Sequence, residues 1–179
     1  NSTADQNPLS RYQRRDTTPI ELRAVAIYIL ARLNKSSKGD YGTRLHDIIE
    51  AGLRNSNSQI RRAAFATARE IPHIAKSIFT ALLLGTRDTD PSAATVAYNA
   101  LATKRNLRLT SSEWQLFAYS LNIAQQSPEV RVRRAAASAV SNFIGQKQAR
   151  EIISTLRRLQ REFADDISWS VREAAKNRK

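Results

Sequence analysis

At 179 residues the chain is long enough for one domain, and its 29 Lys+Arg against 16 Asp+Glu leave a net charge of +13. That balance favours an anionic partner, whether nucleic acid, membrane surface or acidic protein. Cysteine is absent, which excludes a disulfide framework, a thiolate nucleophile and a Cys-based metal site. Arginine outnumbers lysine 22 to 7, and guanidinium grips phosphate or carboxylate through two parallel bonds. The N-terminal stretch NSTADQNPLSRYQRRD is polar and has no apolar signal-peptide core. No apolar run approaches the length needed to span a bilayer. The chain opens on Asn and contains no Met, which predicts a piece of a longer protein.

In chain order, residues 1–17 carry no apolar period and read as an extended or disordered lead-in. Thr18-Pro19-Ile20-Glu21 then starts a helix, with a capping Thr, Pro at the first helical position and Glu placed to close a capping box. Leu22, Val25, Ala26, Ile29, Leu30 and Leu33 follow a 3.6-residue period. After the loop 34–42, a second helix over about 43–54 presents Leu45, Ile48, Ile49 and Leu53 to the core. The plan recurs over about 55–86, with helices at about 58–70 and 72–84 and Gly85 as a C-terminal cap. A third unit, 88–126, opens at Asp90-Pro91, and Thr110-Ser-Ser-Glu113 announces its second helix. A fourth, 127–164, opens at Ser127-Pro128-Glu129 and runs a long second helix to Ala164. A half unit, 165–179, follows Asp165-Asp166.

The units share one phrase: an aliphatic anchor, then Arg, then small residues four and seven places on. It is written as Val132-Arg133 with Ala136 and Ala139, Leu22-Arg23 with Ala26 and Ile29, Ile60-Arg61 with Ala64 and Thr67, and Val171-Arg172 with Ala175. A weaker copy, Ala93-Ala94 with Ala97 and Ala100, lacks the Arg. The anchors at 22, 60, 93, 132 and 171 recur at the period of a stacked helical array. Over 18–179 this resembles the HEAT or HEAT-like (phycobilin-lyase type) repeat. The resemblance implies an all-α, right-handed α-solenoid of four to five helix pairs, with first helices convex and second helices lining a concave groove. It also implies that Arg23, Arg61, Arg133 and Arg172 are structural, bonding turn carbonyls or acids of the neighbouring unit. Asp88, Asp90, Asp165 and Asp166 lie in the turns where such acids would sit.

The last second helix carries the sharpest functional signal. Its apolar stripe is Ala149, Ile152, Ile153, Leu156, Leu159 and Phe163. Lys147, Arg150, Ser154, Arg157 and Arg161 share the opposite face, while Arg158 can pair with Glu162 four residues on. The same phase puts Asp47 and Arg54 of the first unit, His73, Lys76 and Thr80 of the second, and Gln115, Tyr119, Asn122 and Gln126 of the third on one groove. Arg62, Arg69, Arg131 and Arg134 add charge to the convex ridge. Trp114, Phe117 and Leu121 read as core, with a base-stacking platform as the alternative. Neither His46 nor His73 has a partner at ligand or triad spacing. The expectation is a non-catalytic scaffold, with no cofactor or metal, that binds a protein partner through an acidic segment in the groove. Sequence-independent binding of nucleic-acid phosphates is the alternative. A third reading, an enzyme of the HEAT-like DNA-glycosylase type, would use Asp165, Asp166 and Trp169. The compartment expected is the cytoplasm, or the nucleus in a eukaryote, with no membrane insertion.

Overall fold

Asn57, Asp90 and Thr110 each turn a side-chain oxygen onto the free amides of the helix that follows, and so fix where three helices begin. In the computed structural model, which describes residues 42–71, 74, 76–104, 109–144 and 152–176, these are α2 (Ser58–Glu70), α4 (Pro91–Ala102) and α5 (Ser111–Gln125). The other described helices are α1 (Gly42–Leu53), α3 (Lys76–Gly85), α6 (Val130–Ile144), α7 (Ile153–Ala164) and α8 (Trp169–Ala175). Thr110 and Glu113 close the capping box in both directions, and Pro91 sits in the first turn of α4. The expected lead-in 1–17, the first helix of the first unit, Pro72 and residues 145–151 lie outside the described residues.

The fold is an all-α helical-repeat array. α2, α4, α6 and α8 stack in one layer, and α1, α3, α5 and α7 form the other. Stacking is closest along the first layer because its facing residues are mostly alanine. Ala64 and Ala68, then Ala93, Ala94, Ala97 and Ala100, then Ala135, Ala136, Ala137 and Ala139 are all buried, and small side chains let helix axes approach. Larger residues fill the space between layers. Trp114 lies edge-on to Phe143 at 5.7 Å, and Phe117 meets the same ring at 4.8 Å, an aromatic cluster joining α5 to α6. These two α5 aromatics are core residues, not a stacking platform. Leu156, Leu159 and Phe163 of α7 are fully buried, as the apolar stripe predicted.

Two expectations need correction. Gly85 does not cap α3 from outside. It is the helix's last residue, buried against Phe65, and a Cβ added there would overlap the edge of that ring, 2.2 Å from Cζ; glycine is required for close approach, not for backbone conformation. The second helix of that unit begins at Lys76 rather than near 72. Of the half unit expected over 165–179, the helix covers Trp169–Ala175, and Lys176 turns to an extended backbone (ψ 133°). Thr67, where the third and fourth units carry Ala100 and Ala139, is buried with no hydrogen-bond partner for its hydroxyl among the described residues.

Candidate functional site

The recurring arginines lie between units. Arg61 donates from Nε and Nη2 to the two carboxylate oxygens of Asp88 at 2.6 and 2.7 Å, and from Nη1 to the carbonyls of Asn55 and Ser56 at 2.9 and 2.7 Å. Arg133 repeats this atom for atom, with Asp166 at 2.7 and 3.2 Å and the carbonyls of Ser127 and Pro128 at 2.8 and 3.2 Å. Each guanidinium thus ties its own entry turn to the entry turn of the next unit. Each acid is itself fixed, because Asp88 accepts the Asp90 amide and Asp166 the Ser168 amide. The Arg133 guanidinium holds the Asp166 carboxyl below the ordinary range, with the Ser168 amide assisting, against burial that pushes it up. Asp90 is also held low, first by the Ser58 hydroxyl and then by the Ser92 amide. Arg172 makes the carbonyl half of the clamp, to Asp166 and Ile167 at 2.7 and 2.9 Å. Arg23 lies outside the described residues.

The candidate binding surface is the outer face of the second helices. Arg157 and Arg161 are both exposed on α7, one turn apart, and neither has an ion-pair partner among the described residues. Ser154 shares that exposure. Arg158 pairs with Glu162, as its spacing predicted, and reaches Asn122 of α5 at 3.4 Å. Asn122 is therefore half-buried and partnered, not an open groove residue. Tyr119 is 54% exposed, and Arg87, just past α3, lies 5.2 Å from its ring centre. Gln115 is exposed on the same helix. Lys76 is exposed but leans toward Glu113 at 3.6 Å, and Arg54 is engaged by Glu50 at 2.7 Å. His73, Lys147 and Arg150 lie outside the described residues.

Apolar residues that sequence reasoning left out of this surface complete it. Leu84 is 56% exposed and Ile123 42%, so α3 and α5 each offer aliphatic surface, Ile123 one helical turn beyond Tyr119. Leu84 also lines a cleft of about 450 Å³ between α1 and α3, with Leu53, Arg54, Lys76 and Thr80. The signal for Ile123 was its place four residues after Tyr119 on one helical face. Leu84 was hidden in an apolar run that reads as wholly core. Also missed was Lys104, which is buried and donates to the carbonyls of Ala68, Arg69 and Ile71 at the end of α2. Burial lowers its ammonium to about 8, with Glu70 partly opposing. Among the described residues no His/Cys/Asp/Glu group could hold a metal ion, and no helix is long and apolar enough to cross a membrane.

No family model matches the chain, and no curated protein is significantly similar to it. Solved structures do share its fold. Two crystal structures titled as engineered proteins superpose with TM-scores of 0.69 and 0.65, both at 16% identity, over 94% of this chain and 76% and 77% of theirs. A crystal structure of Cex1p superposes with a TM-score of 0.67 at 18% identity, over 93% of this chain and 33% of that one. At these identities the likeness is one of fold.

Proposed function

We propose that the chain is a HEAT-like repeat scaffold, non-catalytic and acting in the cytoplasm or nucleus, whose second-helix face binds an acidic segment of a protein partner. The observation that carries this reading is that Arg157 and Arg161, without an ion-pair partner among the described residues, share this layer with exposed apolar side chains. Arg157 and Arg161 repel each other by a few tenths of a kcal/mol at this spacing, and a carboxylate partner would relieve that cost. Tyr119, Ile123 and Leu84 would supply desolvated anchors of the kind that dominate protein interfaces. A purely phosphate-binding surface has no use for exposed Leu and Ile.

A second reading, sequence-independent binding of nucleic acid, is supported by the same two arginines and the net charge of +13. Anisotropy titration separates the two, using a labelled acidic peptide with leucine and phenylalanine anchors, duplex and single-stranded DNA, and RNA. Peptide binding that falls in Arg157→Ala/Arg161→Ala and in Tyr119→Ala supports the protein-binding reading. Nucleic-acid binding with a log–log salt slope near −3.5, the value for about four phosphate contacts, would replace it.

A further inference from the structure

Arginine also stands on the outer face of the first layer, where neither the clamps nor the second-helix surface uses it. One outward stripe runs down each of three stacked helices, in the same register from its anchor. It reads Gln59, Arg62, Ala66 and Arg69 on α2, Ser92, Thr95 and Asn99 on α4, and Arg131, Arg134 and Ser138 on α6. Arg62, Arg69 and Arg134 are exposed, and their side chains have no ion-pair or hydrogen-bond partner among the described residues. Arg131 is exposed and pairs with Glu129 at 3.2 Å.

The middle helix makes this face a furrow. α4 carries no charged residue and none of its residues is exposed, because it is packed closely between α2 and α6. Its half-buried Thr95, Val96 and Asn99 form an uncharged floor between two helices that carry arginine. A helix spacing of about 8–10 Å puts the axes of α2 and α6 about 16–20 Å apart. The acids around the furrow are engaged. Asp90 caps α4, Glu129 pairs with Arg131, and Glu70 faces the buried Lys104 ammonium. Glu173, which takes the place of Arg134 on α8, pairs with Lys176.

We propose that this furrow seats the phosphate backbone of duplex DNA without reading its sequence. The partner's chemistry follows from what the face has and what it lacks. Arginines on both walls, leaning inward over the small floor residues, would meet the two strands that border a major groove about 12 Å wide. No aromatic ring is offered, since Phe65, Tyr98 and Phe143 are buried, so single strands find no stacking platform. On α2, α4 and α6 the one large apolar side chain in the open is Val130, at the start of α6, so the anchors of a protein interface are missing. Duplex RNA has a deep, narrow major groove and fits the spacing of the walls less well. The furrow and the second-helix face belong to different layers, and neither reading depends on the other.

The test is anisotropy titration of the full chain with a short labelled DNA duplex at about 50 and 200 mM salt. Micromolar binding at the lower salt is expected, with a log–log salt slope of about −2.7, or 0.9 for each of three phosphates. Arg62→Ala/Arg69→Ala/Arg134→Ala should weaken binding about tenfold or more. Arg87→Ala/Arg157→Ala/Arg161→Ala removes the same charge from the second-helix face and should change it by about twofold at most. Glutamine at the three furrow positions should reproduce the loss, and unchanged urea unfolding shows that the fold is kept. Equal loss in the two alanine variants would reduce the effect to net charge, and loss confined to the second would move the DNA to the second-helix face. Either result overturns the proposal, as does absence of binding at low salt or tighter binding of single-stranded DNA or duplex RNA.

Discussion

Ala94 and Ser127 occupy, one unit along, the two positions at which Arg61 and Asp88 clasp each other. Ser127 still accepts the Glu129 amide, at 3.2 Å, as Asp88 accepts the Asp90 amide. Both halves of the ion pair are therefore replaced together where the third unit meets the fourth, and neither a lone guanidinium nor a lone carboxylate is left at that junction. Installing both, as Ala94→Arg with Ser127→Asp, should restore the clamp. Urea unfolding is expected to show a favourable coupling of about 1–2 kcal/mol in the double-mutant cycle. Strictly additive single changes would mean that backbone spacing at this junction, not side-chain identity, prevents the bond.

Arg133 and Asp166 are little exposed, at 11% and 8% of their side-chain surface. Arg133→Met should cost about 3 kcal/mol, since it strands a largely desolvated carboxylate. The pH dependence follows from the lowered Asp166 value. The unfolded chain takes up the proton first as pH falls, so the stabilisation is complete above about pH 4 and is lost as pH drops through the lower folded-state value. Stability measured from pH 5 downward should therefore fall less steeply in Arg133→Met than in the parent.

Lys104 gives the opposite sign. Its folded-state value, lowered to about 8, lies below that of an unfolded lysine at about 10.4. Between those limits the unfolded chain binds more protons, so this residue's contribution makes stability rise with pH. Chemical denaturation between pH 8 and about 10 should show that rise in the parent and a flatter curve in Lys104→Met.

Gly85→Ala should destabilise by about 1–3 kcal/mol through overpacking, and Phe65→Leu in the same chain should recover part of the loss. At Thr67 the prediction is a gain. Thr67→Val keeps the shape, removes a buried hydroxyl without a partner among the described residues, and should stabilise by about 1 kcal/mol in thermal or urea unfolding.

The array itself was legible because each unit repeats local rules. Caps at Asp90 and Thr110, the alanine four residues after each anchor, and the stripe Leu156, Leu159, Phe163 all follow from spacing along one helix. The structural role of the repeat arginines was legible too, with Asp88 and Asp166 among the acids expected to meet them. What stayed hidden depends on approach between helices. Gly85 against Phe65, and Lys104 under the end of α2, are partners from different helices whose meeting no periodicity encodes. On the binding face, phase alone ranked Asn122 beside Tyr119, but the short reach of Arg158 to Asn122 closes one and leaves the other open.

The two layers differ in how they are joined. α2, α4, α6 and α8 are pressed together through alanine faces, and clamps pin α2 to the turn before α4 and α6 to the turn before α8. Polar links across the other layer include Ser77 to Glu50 at 3.3 Å, Lys76 to Glu113 at 3.6 Å and Arg158 to Asn122 at 3.4 Å. Such solvent-exposed links are each weak. The array is thus stiff along one edge and compliant along the other, like a leaf spring clamped on its alanine side. Bending would change the separation of Arg87, Tyr119 and Arg157 while leaving the spine intact, so one surface can be set to more than one width.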